Sequence, residues 1–127
     1  MENDGEVYLV VAPDARHLRA LRLVAADAGG RAGFDVSEVD DLRIAVDELS
    51  QAMMGATEHR LVVRIVVHGR NVIVRASARR QAGDPVPHLS SISELIVDAV
   101  SDQYRLEHSD SEISFVVSKT AGRSIPR

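Results

Sequence analysis

The chain has 127 residues, of which 45% are hydrophobic and 3% aromatic, and it has no internal repeat, so it predicts one domain with a sizeable aliphatic core. Nineteen acidic against 15 basic residues give a net charge of −4, which argues against nucleic-acid binding, and the absence of cysteine excludes disulfides and thiolate metal sites. No apolar run of about 18 residues and no basic-then-apolar leader is present, which favours a cytoplasmic protein without a membrane segment.

The first two predicted elements are a strand and a helix. The segment Glu6–Ala12 is apolar and β-branched, and Pro13 stops it. A helix then begins at Asp14, an acceptable N-cap, and Gly29-Gly30 is predicted to end it. Its predicted buried positions are Leu18, Leu21, Val24, Ala25 and Ala28. Its opposite face carries three basic residues at three-residue spacing, namely Arg16, Arg19 and Arg22.

The second predicted helix ends at Gly55, which is expected to adopt the left-handed conformation that closes helices. Ser37 with Asp40 resembles a capping box at its start. Glu48 and Ala52 lie one turn apart on one flank, so a ligand under the helix would meet both. The predicted buried face recurs at steps of three and four, at Val39, Leu42, Val46, Leu49 and Met53.

The second half of the chain predicts two hairpins with a helix between them. The first hairpin joins Arg60–His68 to Val72–Ala78 through Gly69-Arg70-Asn71, and the second joins Tyr104–His108 to Glu112–Ser118. Between them lie a loop over residues 79–88 and an amphipathic helix capped by Ser90 or Ser91. The predicted buried face of that helix comprises Ile92, Leu95, Ile96, Ala99 and Val100. Residues 1–120 are expected to form the domain and residues 121–127 a flexible tail.

The order β-α-α-β-β-α-β-β predicts an α+β fold, a two-layer α/β sandwich whose mixed, mostly antiparallel sheet carries three helices on one face. This order, the AVDE segment at Ala45–Glu48 and Asp84-Pro85 after the second hairpin strand resemble the histidine-kinase-like ATPase fold. The chain is most similar to the actinobacterial branch of the anti-sigma factor serine kinases. The resemblance covers residues 7–119, and DDLRIAVDE is its most specific segment.

The resemblance implies an ATP site whose residues are largely replaced in this chain. Glu48 matches the family's catalytic base, but Ala52 stands where an asparagine oxygen would hold Mg²⁺, a cation that needs oxygen ligands. A register one residue earlier would pair Asp47 with Gln51, at the cost of the AVDE match. Anchoring on Asp84 places Ala78 at the family's adenine-binding aspartate.

The same anchoring places Arg80 and Ala82 at two glycines of the family's nucleotide box. The segment before the third helix lacks the family's phosphate-binding glycines. These departures favour a protein without a nucleotide cofactor, its cavity filled by Met53, Met54 and Leu89. ATP and Mg²⁺ are expected only if the family activity is retained. No metal site is expected, because the histidines lack ligand spacing; they are His17, His59, His68, His88 and His108.

The resemblance also implies partners. In similar proteins the first helix and the adjoining end of the sheet hold a sigma factor, so Arg16, Arg19 and Arg22 are the expected partner-binding residues. The leading hypothesis is an anti-sigma factor that sequesters an alternative sigma factor of the stress-response or sporulation type and is released by a STAS-domain anti-anti-sigma protein. The alternative is an active ATP-dependent serine kinase that phosphorylates this antagonist, with Glu48 as its base. A further alternative is a regulatory domain with an unrelated partner. A homodimer through the N-terminal strand is possible.

Overall fold

The structure is a computed structural model, and it describes residues 5–122. Five strands form one sheet in the order β1-β2-β3-β5-β4. They are β1 (Gly5–Val11), β2 (Leu61–His68), β3 (Asn71–Arg79), β4 (Gln103–His108) and β5 (Glu112–Thr120). The helices are α1 (Leu18–Arg31), preceded by a short 3-10 turn at Ala15–His17, α2 (Val36–Met54) and α3 (Ser91–Val100).

All four strand pairings are antiparallel, so the sheet over the described residues is simpler than the mixed sheet that the sequence predicts. The strands alternate buried and exposed residues, because the helices cover one face only. The α+β two-layer sandwich is confirmed. Its core combines one stripe from each of the two long helices with the inward residues of the three central strands; the largest of these side chains are Leu21, Leu42, Leu49, Met53, Leu61, Ile65 and Ile113.

The predicted end of α1 at Gly29-Gly30 is wrong, because the helix continues to Arg31. Gly33, at φ 84°, is the left-handed residue that terminates it. Phe34 N–H donates to Gly29 C=O at 2.9 Å and Gly33 N–H donates to Gly30 C=O at 3.2 Å, which is a Schellman closure. Gly29 serves packing instead, because a Cβ there would lie 3.0 Å from the Phe34 ring.

The predicted capping of α2 is wrong at the start and half right at the end. Asp35, not Ser37, is the N-cap: its carboxylate accepts from Glu38 N–H at 2.8 Å, and the Glu38 carboxylate accepts from Asp35 N–H at 2.9 Å. This is a reciprocal capping box two residues before the predicted one. Gly55 does close α2, but its φ of −75° is not left-handed.

The predicted buried face of α3 is also wrong in part. Val97 is fully buried and Ile96 and Val100 are partly buried, whereas Ile92 and Leu95 are 70% and 71% exposed and Ala99 is exposed as well. The cause is that α3 is apolar on more than one side, so periodicity does not decide which side meets α2 and the sheet. Ser90 caps this helix, its hydroxyl accepting from Ser93 N–H at 3.1 Å.

Both predicted hairpins are present, the first with a tighter turn than expected. His68 pairs with Asn71, which leaves Gly69 and Arg70 as the turn residues. After β5, Ala121 is buried and its N–H donates to Arg70 C=O at 2.7 Å. Gly122 N–H donates to the Glu38 carboxylate. The rest of the predicted tail, residues 123–127, lies outside the described residues.

Candidate functional site

Glu48 lies on α2 where this helix meets α3, and its side chain is half-buried. Its carboxylate accepts a hydrogen bond from Ser93 Oγ at 2.6 Å. Ser93 in turn receives a hydrogen bond from Ser90 Oγ at 3.1 Å. Glu48, which the sequence predicts as a catalytic base, is therefore bonded to the first turn of α3 and connects the two helices.

Ala52 lies one helical turn beyond Glu48 and is partly buried. Its methyl group offers no oxygen to a cation. Met53 beside it is fully buried, and Met54 and Leu89 are partly buried and pack against the core. Of the three side chains predicted to fill the cavity, Met53 therefore belongs to the core, and Met54 and Leu89 pack against it.

The alternative pair, Asp47 and Gln51, faces α1 rather than α3. Gln51 Nε2 donates to Asp47 Oδ2 at 3.1 Å. Arg22 Nη1 donates to the other oxygen, Asp47 Oδ1, at 2.7 Å. Both oxygens of the Asp47 carboxylate thus accept hydrogen bonds at the α1–α2 contact.

Arg80 is the least expected residue of this region. Although an arginine, it is only 8% exposed. Its guanidinium donates to Ser109 C=O at 2.8 Å and to Asp84 C=O at 2.7 Å, while its own N–H donates to Ser111 C=O at 2.9 Å. Its Nε is buried without a hydrogen-bond partner in the structure as described. Arg80, which the sequence comparison predicted at a glycine of a nucleotide box, therefore connects the loop after β3 to the β4–β5 turn.

The remaining positions of the box are occupied by two alanines and a turn aspartate. Ala78 is buried near the end of β3 and presents only a methyl group. Ala82 is exposed and precedes Gly83, whose φ is 96°. Asp84 closes this turn, since its carboxylate accepts from Gln81 N–H at 2.8 Å and its N–H donates to Gln81 C=O at 3.0 Å.

The predicted basic surface divides into residues with different surroundings. Arg16 lies in the 3-10 turn before α1 and donates from Nη2 and Nε to Asp14 Oδ2 at 2.8 and 3.0 Å. The Arg16 side chain and, next, its backbone N–H lower the pKa of Asp14 to about 2. Arg16 is therefore largely engaged in local capping, although its side chain is 84% exposed.

The other two predicted arginines, Arg22 and Arg19, also have different surroundings. Arg22 forms the ion pair with Asp47, and the two side chains are only 35% and 24% exposed. Arg19 is exposed and, within residues 5–122, forms no ion pair. One turn beyond it, Leu23 is 61% exposed. Of the three predicted arginines, Arg19 is therefore the most available to a partner, with the exposed Leu23 beside it.

A shallow recess of about 250 Å³ adjoins this surface between α1 and α2. It is lined by Arg22, Asp40, Arg43, Ile44 and Asp47. Ile44 is 41% exposed, and Arg43 pairs with Asp40 at 3.2 Å. Sequence reasoning missed Arg43 and Ile44; the available signal was an isoleucine outside the apolar stripe of α2.

Metal and membrane sites find no support in the described part of the chain. No group of three histidine or acidic side chains there comes close enough together to hold a metal ion. Among residues 5–122, none of the helices has both the length and the apolar character that a membrane crossing requires.

The five-stranded antiparallel sheet and the single helical layer form an α+β two-layer sandwich. The structure is similar to the crystal structure of the RsbU and RsbW domains of Rv1364c from Mycobacterium tuberculosis, with a TM-score of 0.69 and 15% sequence identity. The similarity covers 94% of this chain and 33% of that one, so the chain spans about a third of that protein's length. No protein-family model and no curated protein matches the chain. At this identity the likeness shows the fold, which is the one predicted.

Proposed function

We propose that this protein is an anti-sigma factor that binds and sequesters an alternative sigma factor and is released by a STAS-domain antagonist. The observation that carries the proposal is the fold shared with a structure containing an RsbW domain, over 94% of the chain. The exposed Arg19 and Leu23 on α1 support it, because a cation beside an apolar side chain is typical of protein interfaces.

We further propose that partner binding does not need a nucleotide. Three features of the chain support this: Ala52 supplies no ligand for Mg²⁺, Glu48 is bonded to Ser93, and Arg80 is bonded to the loops around it. These residues do not fit a Mg·ATP complex of the kind that the family binds.

The partner proposal is tested with purified sigma factors of the native host and the full chain. Arg19→Glu is expected to weaken capture at least about tenfold, because it replaces an interface cation by an anion. Arg105→Glu is the matched control, since Arg105 is exposed on β4, away from α1, and it should change affinity by less than about twofold. Arg22 is a poorer probe, because its replacement also breaks the ion pair with Asp47. Equal binding by Arg19→Glu and the unaltered protein would remove α1 from the proposal.

The nucleotide proposal is tested separately by isothermal titration and thermal shift with Mg·ATP and Mg·ADP. We expect no heat of binding and no rise in the melting temperature with either nucleotide. A micromolar dissociation constant would contradict the proposal. Transfer of radiolabelled phosphate from ATP to a STAS-domain protein would establish the serine kinase instead.

A further inference from the structure

Helix α3 presents an apolar stripe to solvent, at the side away from its contacts. We call Ile92, Leu95 and Ala99 the α3 stripe; they recur at steps of three and four, and all three are exposed. The opposite side of α3 already provides its packing, through buried Val97 and partly buried Val100. A short helix with apolar residues on two sides is usually covered on both of them.

The stripe is held rigidly. At the start of α3, Ser93 is bonded to Glu48 of α2, and at its end Ser101 N–H and Oγ donate to Val97 C=O at 3.1 and 2.7 Å. Next, the Asp102 carboxylate accepts from Thr120 N–H of β5 at 2.8 Å. A surface fixed at both ends loses little conformational entropy when a partner binds.

The charges that α3 itself places beside the stripe are acidic, and Asp98 also lines a recess that includes Arg75 and Arg105. Glu94 and Asp98 lie one turn apart along its flank, and α3 contains no basic residue. Asp98 lies in the last turn, where the helix dipole favours cations, so this carboxylate is unfavourable for the isolated helix. Burial, followed by the charges of Asp98 and Glu94, raises the pKa of the nearby Tyr104 phenol. Asp98, unlike Glu94 in the first turn, is thus placed against the preference of its own helix.

We propose that the α3 stripe and its acidic flank form a docking surface for a basic amphipathic helix of a partner protein. Apolar side chains at steps of three and four on that helix would cover Ile92, Leu95 and Ala99, and lysines or arginines beside them would face Glu94 and Asp98. Because α2 packs between α1 and α3, this surface lies on the other side of the helical layer from Arg19. This inference does not depend on the sigma factor proposal.

The experiment uses the full chain and a fluorescent synthetic helix with leucines at steps of three and four and flanking lysines. A matched peptide carries glutamate at every lysine position. By anisotropy, the lysine peptide is expected to bind at least about tenfold more tightly than the glutamate peptide. Equal affinities of the two peptides, or no binding of the lysine peptide, would overturn the proposal.

Matched variants locate the binding. Leu95→Ser should weaken it at least about tenfold, whereas Leu23→Ser, at a similarly exposed leucine of α1, should change it less than about twofold. Asp98→Lys should weaken binding while improving the end of α3, so its effect is separable from misfolding. Asp110→Lys, in the β4–β5 turn, is its control. The proposal would be refuted if Leu95→Ser left peptide binding unchanged. It would also be refuted if the chain self-associated and Leu95→Ser abolished that self-association.

Discussion

Gly29 and Gly30 are adjacent in α1 but have different surroundings. A Cβ at Gly29 would lie 3.0 Å from the Phe34 ring and 3.3 Å from Val39, whereas a Cβ at Gly30 meets nothing within 4 Å. We expect Gly30→Ala to stabilise the protein by about 0.5–1 kcal/mol, because alanine is the better helix former. Gly29→Ala should be at least about 1 kcal/mol less stable than Gly30→Ala, because the gain in propensity is offset by overpacking.

Urea unfolding of the two variants and the unaltered chain measures this difference. Each glycine is the control for the other, since the two share a helix and a substitution. Equal stabilisation by both would show that Phe34 moves away without cost.

At Asp14 the structure predicts a pH effect with a definite sign. The carboxyl has a pKa of about 2 in the folded protein, below its ordinary value of 3.8. A lowered folded pKa stabilises the protein above pH 3.8, and this contribution is lost as the pH falls toward about 2. Arg16→Ala should move the pKa back toward 3.8, as followed by NMR titration of the carboxyl carbon. An unchanged pKa would mean that the backbone N–H alone sets it.

At the scale of elements, Ser93 connects α3 to α2. Ser93→Ala leaves the half-buried Glu48 carboxylate without this donor and is expected to cost about 1–2 kcal/mol in the free energy of unfolding. Ser91→Ala, in the same turn but exposed and without a side-chain bond among the described residues, should stay within about 0.5 kcal/mol. Thermal or urea unfolding compares the two variants. Equal losses of stability would show that the Ser93–Glu48 hydrogen bond does not stabilise the contact between α2 and α3.

Arg80 and Arg79 are a second matched pair. Arg80→Met removes donors from the carbonyls of Ser109 and Asp84 and should destabilise the chain by about 1–2 kcal/mol. Arg79 is exposed, so Arg79→Met should be within about 0.5 kcal/mol of the unaltered chain. Denaturant unfolding tests both; a stable Arg80→Met would mean that the loop after β3 does not need its arginine.

At the scale of the molecule, the central strands should be the most protected against amide hydrogen exchange. The inward residues of β2, β3 and β5 are buried, whereas β4 has no fully buried residue and β1 has only Val11. Because β1 and β4 are also the sheet edges, they should exchange at a lower opening free energy than β3. Mass spectrometry of exchanged peptides checks this order, and equal protection of β4 and β3 would contradict it.

The candidate site was only partly predictable from the sequence. The loss of a metal ligand at Ala52 is a matter of residue type, so the sequence shows it directly. The bond from Ser93 to Glu48 joins residues that are 45 positions apart, and no local pattern specifies it. Likewise, Arg22 is ion-paired and Arg19 is not because Asp47, which lies 25 positions from Arg22, contacts only Arg22 of the two.

What the chain determined by itself was the type and order of its elements, because helical and strand periodicity, turn glycines and caps act over a few residues. For α3, in contrast to α1 and α2, only the tertiary structure decided which side of the helix is covered. Helix α3 shows the reason most clearly: its apolar residues surround much of the helix, and only the positions of α2 and the sheet make Val97 core and leave Leu95 exposed. Burial is a property of neighbours distant in the chain, so it appears only when the layers are assembled.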